Sequence, residues 1–380
     1  MGFREDYVMW RVVYQLLHQK NTSLVTISQD QREVWLEEHS NKIPTYYRLI
    51  STDINWSNEL KRNLVRGIQI IDKILAKRLR KQANVEMMYF SPYEPVDDGF
   101  DWEKERIYKK TSIQTTLWTK NDTELLWNRF FPNTALQISD EYDEVDVQTI
   151  KLAALQYGQK EIAQTFQRTK PFVSYVLLAM QIFMFLVLER SGGSTNIPTL
   201  IQYGVKVDEM MIQGEWWRLV TPVFLHIGFL HLVMNSLGLY FIGTLVEQIF
   251  GKWRFLFIYL LAGVGGTAAS FAFTDGISAG ASGAIFGLFG ALLYFGLAKP
   301  RLFFRTMGMN VLLVIAINIA IGFTLPGIDN AGHLGGLLAG FLASGTVKIP
   351  NKKGLLLPML FTISYVFVLF LFLIIGVSME

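Results

Sequence analysis

Four polar side chains stand in apolar stretches of this sequence and have the types that nucleophilic catalysis needs. Ser282 begins an uncharged run in the segment GASGAIFG, and His333 lies in NAGHLGGLLAG. His231 and Asn235 are four residues apart, which places both on one face of a helix. A hydroxyl within hydrogen-bond reach of a neutral imidazole is an activated nucleophile, and imidazole and amide groups can hold an oxyanion. These residue types favour attack of a serine on a carbonyl carbon.

The apolar stretches that carry these residues have the length of membrane spans, about 20 residues. The chain is 51% hydrophobic and 18% charged, and its long apolar runs begin at Phe172. Hydropathy predicts a polytopic α-helical bundle of about seven transmembrane helices, at roughly 172–189, 223–246, 253–274, 281–298, 307–325, 331–347 and 355–377. Ionisable side chains inside a bilayer cost ~2.5 kcal/mol or more each, so they indicate function.

The order of the spans brings the polar groups to one depth. Spans four and six run in the same direction, and Ser282 and His333 each lie just inside the same end, while span two brings His231 and Asn235 to a similar level. Glycines four residues apart, which let two helix backbones approach closely, occur on spans four and six. They are Gly283, Gly287, Gly332, Gly336 and Gly340. This spacing predicts contact between Ser282 and His333, with Phe286 stacked on the imidazole ring.

Each of these features also has an ordinary structural interpretation. A lone serine in a membrane helix usually hydrogen-bonds to its own helix, a lone histidine can link two helices, and a glycine repeat can serve packing alone. Taken together, such interpretations leave the common depth of Ser282, His333, His231 and Asn235 as a coincidence. The common depth therefore favours a site.

The same residues resemble the motifs of rhomboid intramembrane serine proteases. The segment GASG is similar to their Gly-x-Ser-Gly nucleophile motif, which gives Gly280 and Ser282, and His333 matches the base on their sixth span. Phe286 stands where some members have tyrosine, so the stacking surface is kept and a hydroxyl is lost. The segment is not the G-x-S-x-G elbow of soluble hydrolases, because Ala284 replaces the last glycine.

Two further motifs extend the resemblance over about 172–347. The segment HIGFLHLVMN matches the His-x4-His-x3-Asn pattern of their second span, at His226, His231 and Asn235. The segment WWR matches their Trp-Arg motif, at Trp217 and Arg218 in the long loop 191–222. The resemblance implies a six-helix protease core over 172–347. Residues 348–380 then supply the additional helix of the bacterial six-plus-one form.

The resemblance implies a catalytic dyad of Ser282 and His333 and an oxyanion hole that includes His231 and Asn235. No acid is required to orient the histidine, and Asp329, the nearest carboxylate to His333 in sequence, is left without a role because it sits in a loop. No cofactor and no metal are implied. The expected substrates are transmembrane proteins, and small or helix-breaking residues near the outer end of a substrate helix favour entry.

The composition excludes several other classes. The chain has no cysteine, so disulfides, thiolate metal sites and thiol chemistry are excluded. A net charge of +3 on 380 residues gives no indication of a nucleic-acid partner. The first residues, MGFREDYVMW, do not have the basic and then apolar pattern of a signal peptide.

Basic residues in the short loops predict the orientation. One set of loops carries lysine and arginine, whereas the opposite loops, around Asp275 and Asp329, carry neither. The basic loop residues are Lys252, Arg254, Lys299, Arg301, Arg305, Lys348, Lys352 and Lys353, with Arg168 and Lys170 before the first span. The N-terminus is therefore expected in the cytoplasm, and the loop 191–222 and the C-terminus outside.

Residues 1–168 are predicted as a small cytoplasmic α+β domain. The expected elements are a helix at 4–19, strands in SLVTIS, EVWLEE and TYYRLI, a helix at 57–82, a strand in VEMMYF and a helix at 146–167. The order of helix, three strands, helix and strand resembles the core of restriction-endonuclease-like domains. Their paired acid and lysine are not recognisable here, so nuclease activity is not expected.

Charge clusters in this domain have two interpretations each. The helix at 57–82 carries basic residues that can contact anionic lipid, or that simply form a solvated face. They are Lys61, Arg62, Arg66, Lys73, Lys77, Arg78, Arg80 and Lys81. The acidic clusters suit a hard divalent cation, but no spacing matches a known calcium loop, so solvated loops are favoured. They are Asp97, Asp98, Asp101 and Glu103, then Asp140, Glu141, Asp143, Glu144 and Asp146.

The sequence therefore predicts an intramembrane serine protease that cleaves transmembrane substrates near the outer membrane face. The alternative is a non-catalytic membrane protein that binds or escorts client helices, as relatives without the dyad do. The intact pair Ser282 and His333 favours the protease. A transporter is a third interpretation, which the lack of paired charges within the spans disfavours.

Overall fold

The computed structural model describes residues 3–19, 22–38, 43–77, 81–102, 104–134, 142–166, 169–325, 327–350 and 354–379. The chain forms two compact units, Met1–Glu161 and Ile162–Glu380. Several charged residues named above lie outside the description: Arg78, Arg80, Glu103, Asp140, Glu141, Arg168, Lys352 and Lys353, with the side chains of Lys77 and Arg301.

A six-stranded sheet forms the centre of the first unit. The elements, in chain order, are α1 (Phe3–Gln19), β1 (Thr22–Ile27), β2 (Glu33–Glu38), β3 (Thr45–Ser51), α2 (Ser57–Lys77), β4 (Ala83–Phe90), β5 (Arg106–Tyr108), β6 (Thr111–Trp118), α3 (Thr123–Phe130) and α4 (Glu144–Phe166). The strand order is β1-β2-β3-β4-β6-β5, and β4 pairs in parallel with both β3 and β6. The predicted α+β class and the order of helix, three strands, helix and strand are confirmed.

Helices cover both faces of this sheet because side chains alternate along each strand. On β2, Val34 and Leu36 pack with α1, α3 and α4, whereas Trp35 packs on the opposite face with α2. The predicted apolar side of α2 supplies that contact through Leu60, Leu64, Ile71 and Leu75, with Ile68 partly buried beside them. Two separate apolar cores result, one on each face.

Three elements and one boundary of this unit differ from the sequence prediction. Strands β5 and β6 and helix α3 were not predicted. They follow an acidic, proline-containing stretch, and of the two strands only β6, with eight residues, has the usual length of a strand. The predicted helix 57–82 is too long, because Lys81 and Gln82 are already outside the helix and β4 begins at Ala83.

The acidic clusters cap helices. Asp97 accepts hydrogen bonds from Ser57 N at 2.7 Å and Ser57 Oγ at 2.5 Å, at the first residue of α2. Asp143 and Asp146 exchange hydrogen bonds with each other's backbone N–H groups at the start of α4, in the pattern of a capping box. Within the described ranges, no group of three or more histidines and carboxylates could hold a metal ion. Asp97, Asp143 and Asp146 thus have a structural role, and the cation contact stays a prediction.

The second unit consists of helices. These are α5 (Val173–Arg190), α6 (Ile197–Tyr203), α7 (Asp208–Ile212), α8 (Phe229–Gly238), α9 (Thr244–Phe250), α10 (Lys252–Phe273), α11 (Ser282–Ala298), α12 (Pro300–Thr306), α13 (Gly308–Thr324), α14 (Asn330–Val347) and α15 (Leu356–Met379). Among the described residues, four helices are long and apolar enough to cross a membrane: Val173–Arg190, Phe229–Phe250, Lys252–Phe273 and Leu356–Ser378. The shorter apolar helices include α11 and α13.

The second predicted span, 223–246, is wrong at both ends. Thr221–Phe224 forms a short 3₁₀ turn, Leu225 is extended, and the helix begins at Phe229 after Gly228, which has φ +81°. The span then continues to Phe250 through a π-helical turn at Leu239–Gly243. An apolar run does not show where its backbone breaks, so composition alone misplaced this helix.

A buried carboxylate fixes the entrance of the first membrane helix. Glu247 on α9 is fully buried and accepts hydrogen bonds from the backbone N–H groups of Phe172, Val173 and Ser174 at 2.8–2.9 Å, and from Ser174 Oγ at 2.7 Å. These N–H groups lie at the first turn of α5, where backbone N–H groups have no acceptor within the helix. The carboxylate therefore caps α5 from the neighbouring span.

Helices α11 and α14 touch through their glycines, as predicted. A Cβ atom on Gly336 would lie 2.0 Å from the carbonyl oxygen of Gly283, and one on Gly340 would lie 2.1 Å from that of Gly287. Side chains at these positions would displace the backbone of the other helix. The contact sets the separation of the helices that carry Ser282 and His333.

Candidate active site

One cavity of about 1060 Å³ is lined by most of the residues that the sequence predicts as functional. These are His231, Asn235, Gly280, Ser282, Phe286 and His333. The walls come from α8, α11, α13, the start of α14 and the segment 274–281, here called the serine loop. His226, Trp217 and Arg218 do not line the cavity.

Ser282 is the first residue of α11. The preceding residue, Ala281, makes no side-chain hydrogen bond to the helix, so the first N–H groups of α11 receive no side-chain cap. Gly280 has φ +131°, and a Cβ there would lie 2.7 Å from Nε2 of His231. Only glycine allows the serine loop to adopt this backbone and to lie against the imidazole. Uncapped N–H groups at a helix start are suited to bind a negatively charged oxygen.

His333 lies in the first turn of α14 and is held by stacking. Its ring is 4.2 Å from that of Phe286, centroid to centroid, with an interplanar angle of 11°. In the described part of the chain, Nδ1 of His333 is buried and has no hydrogen-bond partner. Among the described residues no carboxylate bonds this nitrogen, so the ring is oriented by the aromatic contact predicted for Phe286.

His231 and Asn235 share one face of α8, as their spacing predicts. Asn235 is buried and uses one amide N–H to bond the carbonyl of His231 at 3.0 Å, which leaves the second N–H available at the cavity. His226 precedes the helix and is fully buried, with its ring 5.4 Å from that of His231 in an edge-to-face contact. It backs His231 rather than facing the cavity.

The Trp-Arg motif folds the loop 191–222. Arg218 is buried and donates to the carbonyls of Ile201 at 3.0 Å and Val205 at 2.8 Å. Its guanidinium also pairs with Glu215 at 2.6 Å and lies 4.5 Å above the ring of Trp217. These contacts give both motif residues a structural role in this loop, outside the cavity.

A buried lysine, missed by the sequence prediction, anchors the serine loop to the loop 191–222. Lys206 is fully buried, and its ammonium pairs with Asp208 at 2.6 Å. It also donates to the carbonyls of Thr274 at 2.5 Å and Gly276 at 3.1 Å, and its backbone bridges to Ser278. The two residues whose carbonyls it binds, Thr274 and Gly276, are about 70 residues away in sequence. Only the closeness of Lys206 and Asp208 along the chain hints at this contact.

Asp329 is the second residue that sequence reasoning left out. Its carboxylate accepts hydrogen bonds from Thr274 Oγ1 at 3.0 Å, Ser278 Oγ at 2.7 Å and the backbone N–H of Gly332 at 2.8 Å. Burial raises the pKa of this carboxyl, but the hydrogen bonds donated to it outweigh burial and leave the pKa below its ordinary value. An aspartate just before an apolar helix is an N-cap signal, and that signal was available in the sequence.

The remaining walls of the cavity are apolar faces of two helices. On one side are Met234, Gly238 and Phe241 from α8 and the π turn, and on the other are Val314 and Ile321 from α13. Several of these side chains are exposed, including Met234 and Phe241 at 61% and 64%. The cavity therefore has a polar end at Ser282 and His333 and apolar walls on α8 and α13.

Comparisons with known proteins agree with this arrangement. A family model described as Rhomboid domain matches residues 213–350. Rhomboid protease GluP of Bacillus subtilis (strain 168) is 35% identical over 358 residues, which are 92% of this chain and 70% of that protein. Putative rhomboid protease YdcA of the same organism is 35% identical over 48% of this chain and 90% of its own length. RHOMBOID-like protein 2 of Arabidopsis thaliana is 45% identical over 37% of this chain and 45% of that protein.

The match to GluP extends through the sheet-containing first unit as well as the helical second unit. The fold is a helical membrane domain with several apolar helices behind an α+β domain, and the chain is a multi-pass membrane protein. The chain belongs to the rhomboid family of serine proteases.

Proposed function

We propose that the chain cleaves peptide bonds with a dyad of Ser282 and His333. The observation that carries the proposal is that both residues lie in the first turns of two helices in backbone contact and line one cavity. Ser282 Oγ attacks the carbonyl carbon, and His333 takes the hydroxyl proton. When the C–N bond breaks, His333 gives this proton to the leaving amine. Water then hydrolyses the acyl-enzyme, again with His333 as base.

The oxyanion formed in each step is held by His231, Asn235 and the backbone N–H of Ser282. Asn235 has a free amide N–H at the cavity, and the α11 N-terminus has no side-chain cap. Donors fixed before the reaction act mainly on the charge that develops in the transition state. Gly280 supports this group by leaving room for His231.

The substrates are transmembrane proteins, which are cleaved near the outer membrane face. The apolar cleft between α8 and α13 suits a substrate helix, and the site lies at the ends of α11 and α14 away from the basic loops. Small or helix-breaking residues near the cut expose the peptide bond. The proposed domains are a cytoplasmic domain at 1–168, a protease core at 172–347 and an additional helix in 348–380.

Orientation has its own test, because the chain contains no cysteine. Single cysteines at position 195, which is exposed in the loop 191–222, and at position 301 report the two sides of the membrane to an impermeant thiol reagent on intact cells. We expect labelling at 195 and none at 301 until the membrane is opened. The reverse pattern would place the N-terminus outside.

The alternative is a protein that binds client helices without cleaving them. A serine-reactive fluorophosphonate distinguishes the two. Wild-type protein and a Ser236→Ala control, which removes a serine of α8 that does not line the cavity, should be labelled and should cleave a transmembrane substrate. Ser282→Ala and His333→Ala should each lose cleavage, because residues that act as a unit cost nearly as much singly as together. Ser282→Ala should also lose the label, because the hydroxyl that reacts with the fluorophosphonate is absent. Turnover by purified Ser282→Ala protein would exclude the dyad.

A further inference from the structure

Asp329 joins the two segments that carry the proposed dyad. Its carboxylate accepts hydrogen bonds from the side chains of Thr274 and Ser278 in the serine loop, which leads into Ser282. The same carboxylate caps α14 by accepting a hydrogen bond from Gly332 N. The backbone carbonyl of Asp329 accepts a hydrogen bond from His333 N at 3.1 Å. In the described part of the chain, the hydrogen bonds between the serine loop and the start of α14 all run through this carboxylate.

The other anchors of the serine loop lead elsewhere. Lys206 holds the carbonyls of Thr274 and Gly276, and Gly280 N donates to Pro222 O at 2.9 Å. These contacts tie the loop to the segment 191–222, which carries neither member of the dyad. They fix where the loop lies, but they do not fix its distance from the helix of His333.

From this geometry we propose that Asp329 is a positioning residue that sets the nucleophile and the base in register. This inference rests on the proposed dyad. Asp329 lines the same cavity, but among the described residues no hydrogen bond joins its carboxylate to the ring of His333, whose Nδ1 has no partner. The two carboxylate oxygens have different partners, since Oδ2 accepts from Ser278 whereas Oδ1 accepts from Thr274 and from Gly332 N.

Capping and linking can be separated by substitution. Asp329→Ser keeps a residue that caps helices well, but its hydroxyl is too short to reach the serine loop as well. Asp329→Asn keeps the shape, with an oxygen for Gly332 and Thr274 and an NH₂ group that can donate to the hydroxyl of Ser278. Thr274→Val with Ser278→Ala breaks the same link from the loop side and leaves the cap intact.

The experiment measures kcat and KM of the full chain in lipid vesicles with a transmembrane substrate, and thermal unfolding of each variant. We expect Asp329→Ser and the Thr274→Val, Ser278→Ala variant each to lose kcat by ~10²-fold, as misplacement by about 1 Å can cause, with KM little changed. Asp329→Asn should restore most of kcat. Combining Asp329→Ser with the loop substitutions should cost nothing further, because they remove one link.

Thr244→Val is the matched control, since it removes a hydroxyl that bonds only within its own span. Its kcat should equal that of wild type. Wild-type kcat in Asp329→Ser, or losses that multiply in the combined variant, would overturn the positioning role. A loss of kcat that follows only a loss of thermal stability, in Asp329→Ser and in the loop variant alike, would also overturn it. If wild-type protein takes no fluorophosphonate label and Ser282→Ala still cleaves, the dyad itself fails instead.

Discussion

The two units of this chain are packed by opposite means. The first buries large side chains between a sheet and its helices, among them Trp35, Trp118 and Trp127. The second brings α11 and α14 into contact where side chains are absent, at positions such as Gly336 and Gly340. Adding a methyl group therefore tests different things in the two units. In the first unit it meets the ends of side chains that can move, and at the contact of α11 with α14 it meets backbone.

The proposed dyad in the second unit also differs from a buried ion pair in the first unit. In the first, the buried guanidinium of Arg48 bonds Glu33 at 2.9 Å and the carbonyl of Asn63 at 2.8 Å, between the sheet and α2. In the second, Ser282 and His333 border an open cavity, and Nδ1 of His333 is unpaired in the described chain. Paired buried groups indicate structure, whereas polar groups left at a cavity in an apolar unit indicate chemistry.

The largest effect is expected from Gly340→Ala. The new Cβ would lie 2.1 Å from the carbonyl oxygen of Gly287 and 2.4 Å from its Cα, so α11 and α14 must separate. Cleavage should fall by ~10²-fold or more, because a shift of about 1 Å misplaces the dyad. Substrate cleavage in vesicles measures this, with Leu338→Ala on the exposed side of α14 as control. Wild-type cleavage by Gly340→Ala would show that the helix contact does not set the site.

Asn235→Ala should lower kcat by ~10²-fold, as the loss of one oxyanion donor does elsewhere, with KM little changed. The effect is smaller if His231 shares the charge. Steady-state kinetics of Asn235→Ala and His231→Ala provide the check, and fluorophosphonate labelling of Ser282 should slow but persist. If both variants keep kcat within about a factor of two, these residues are structural, like Arg48 in the first unit.

The pair of Glu33 and Arg48 should make the first unit sensitive to acid. Burial raises the pKa of Glu33, but the hydrogen bond and charge of Arg48 outweigh it and hold the pKa below the ordinary value of 4.5. A depressed pKa means stability that is present above the unfolded value and is lost as pH falls through the folded one. The protection of amide hydrogens on β2 and β3, taken relative to their intrinsic exchange rate, should therefore fall from about pH 5 to about pH 3 more than it does in Glu33→Gln. An equal pH dependence in the variant would contradict this.

The smallest effect, of opposite sign, is expected from Gly158→Ala on α4. The added Cβ would meet Leu17 at 3.5 Å, an ordinary contact. Alanine is favoured over glycine within a helix by about 0.5–1 kcal/mol. Exchange protection along α4 should rise by that amount, while cleavage stays unchanged. Destabilisation here would remove the contrast with Gly340→Ala.

The sequence predicts the helical second unit and the sheet-containing first unit to different extents. Polar residues are conspicuous against apolar spans, and the glycine spacing correctly indicated the contact between α11 and α14 and the stacking of Phe286 on His333. The cap that Asp329 forms on α14 could be predicted from the sequence, but its link to Thr274 and Ser278 could not, because these partners are more than 50 residues away and only folding brings them near. Strand β5 was missed because its three residues are too few to show a period, and β6 was missed because five of its eight residues are polar.

The π turn at Leu239–Gly243 sets the rotational phase of the second span. A π turn accommodates about one more residue than an α turn, and each residue of an α-helix advances by about 100°. If the same residues formed a regular α-helix instead, the outer half of the span would rotate by about that angle relative to Glu247 and the cap on α5. His231 and Asn235 would then turn away from Ser282, so the π turn keeps the two ends of this span aligned.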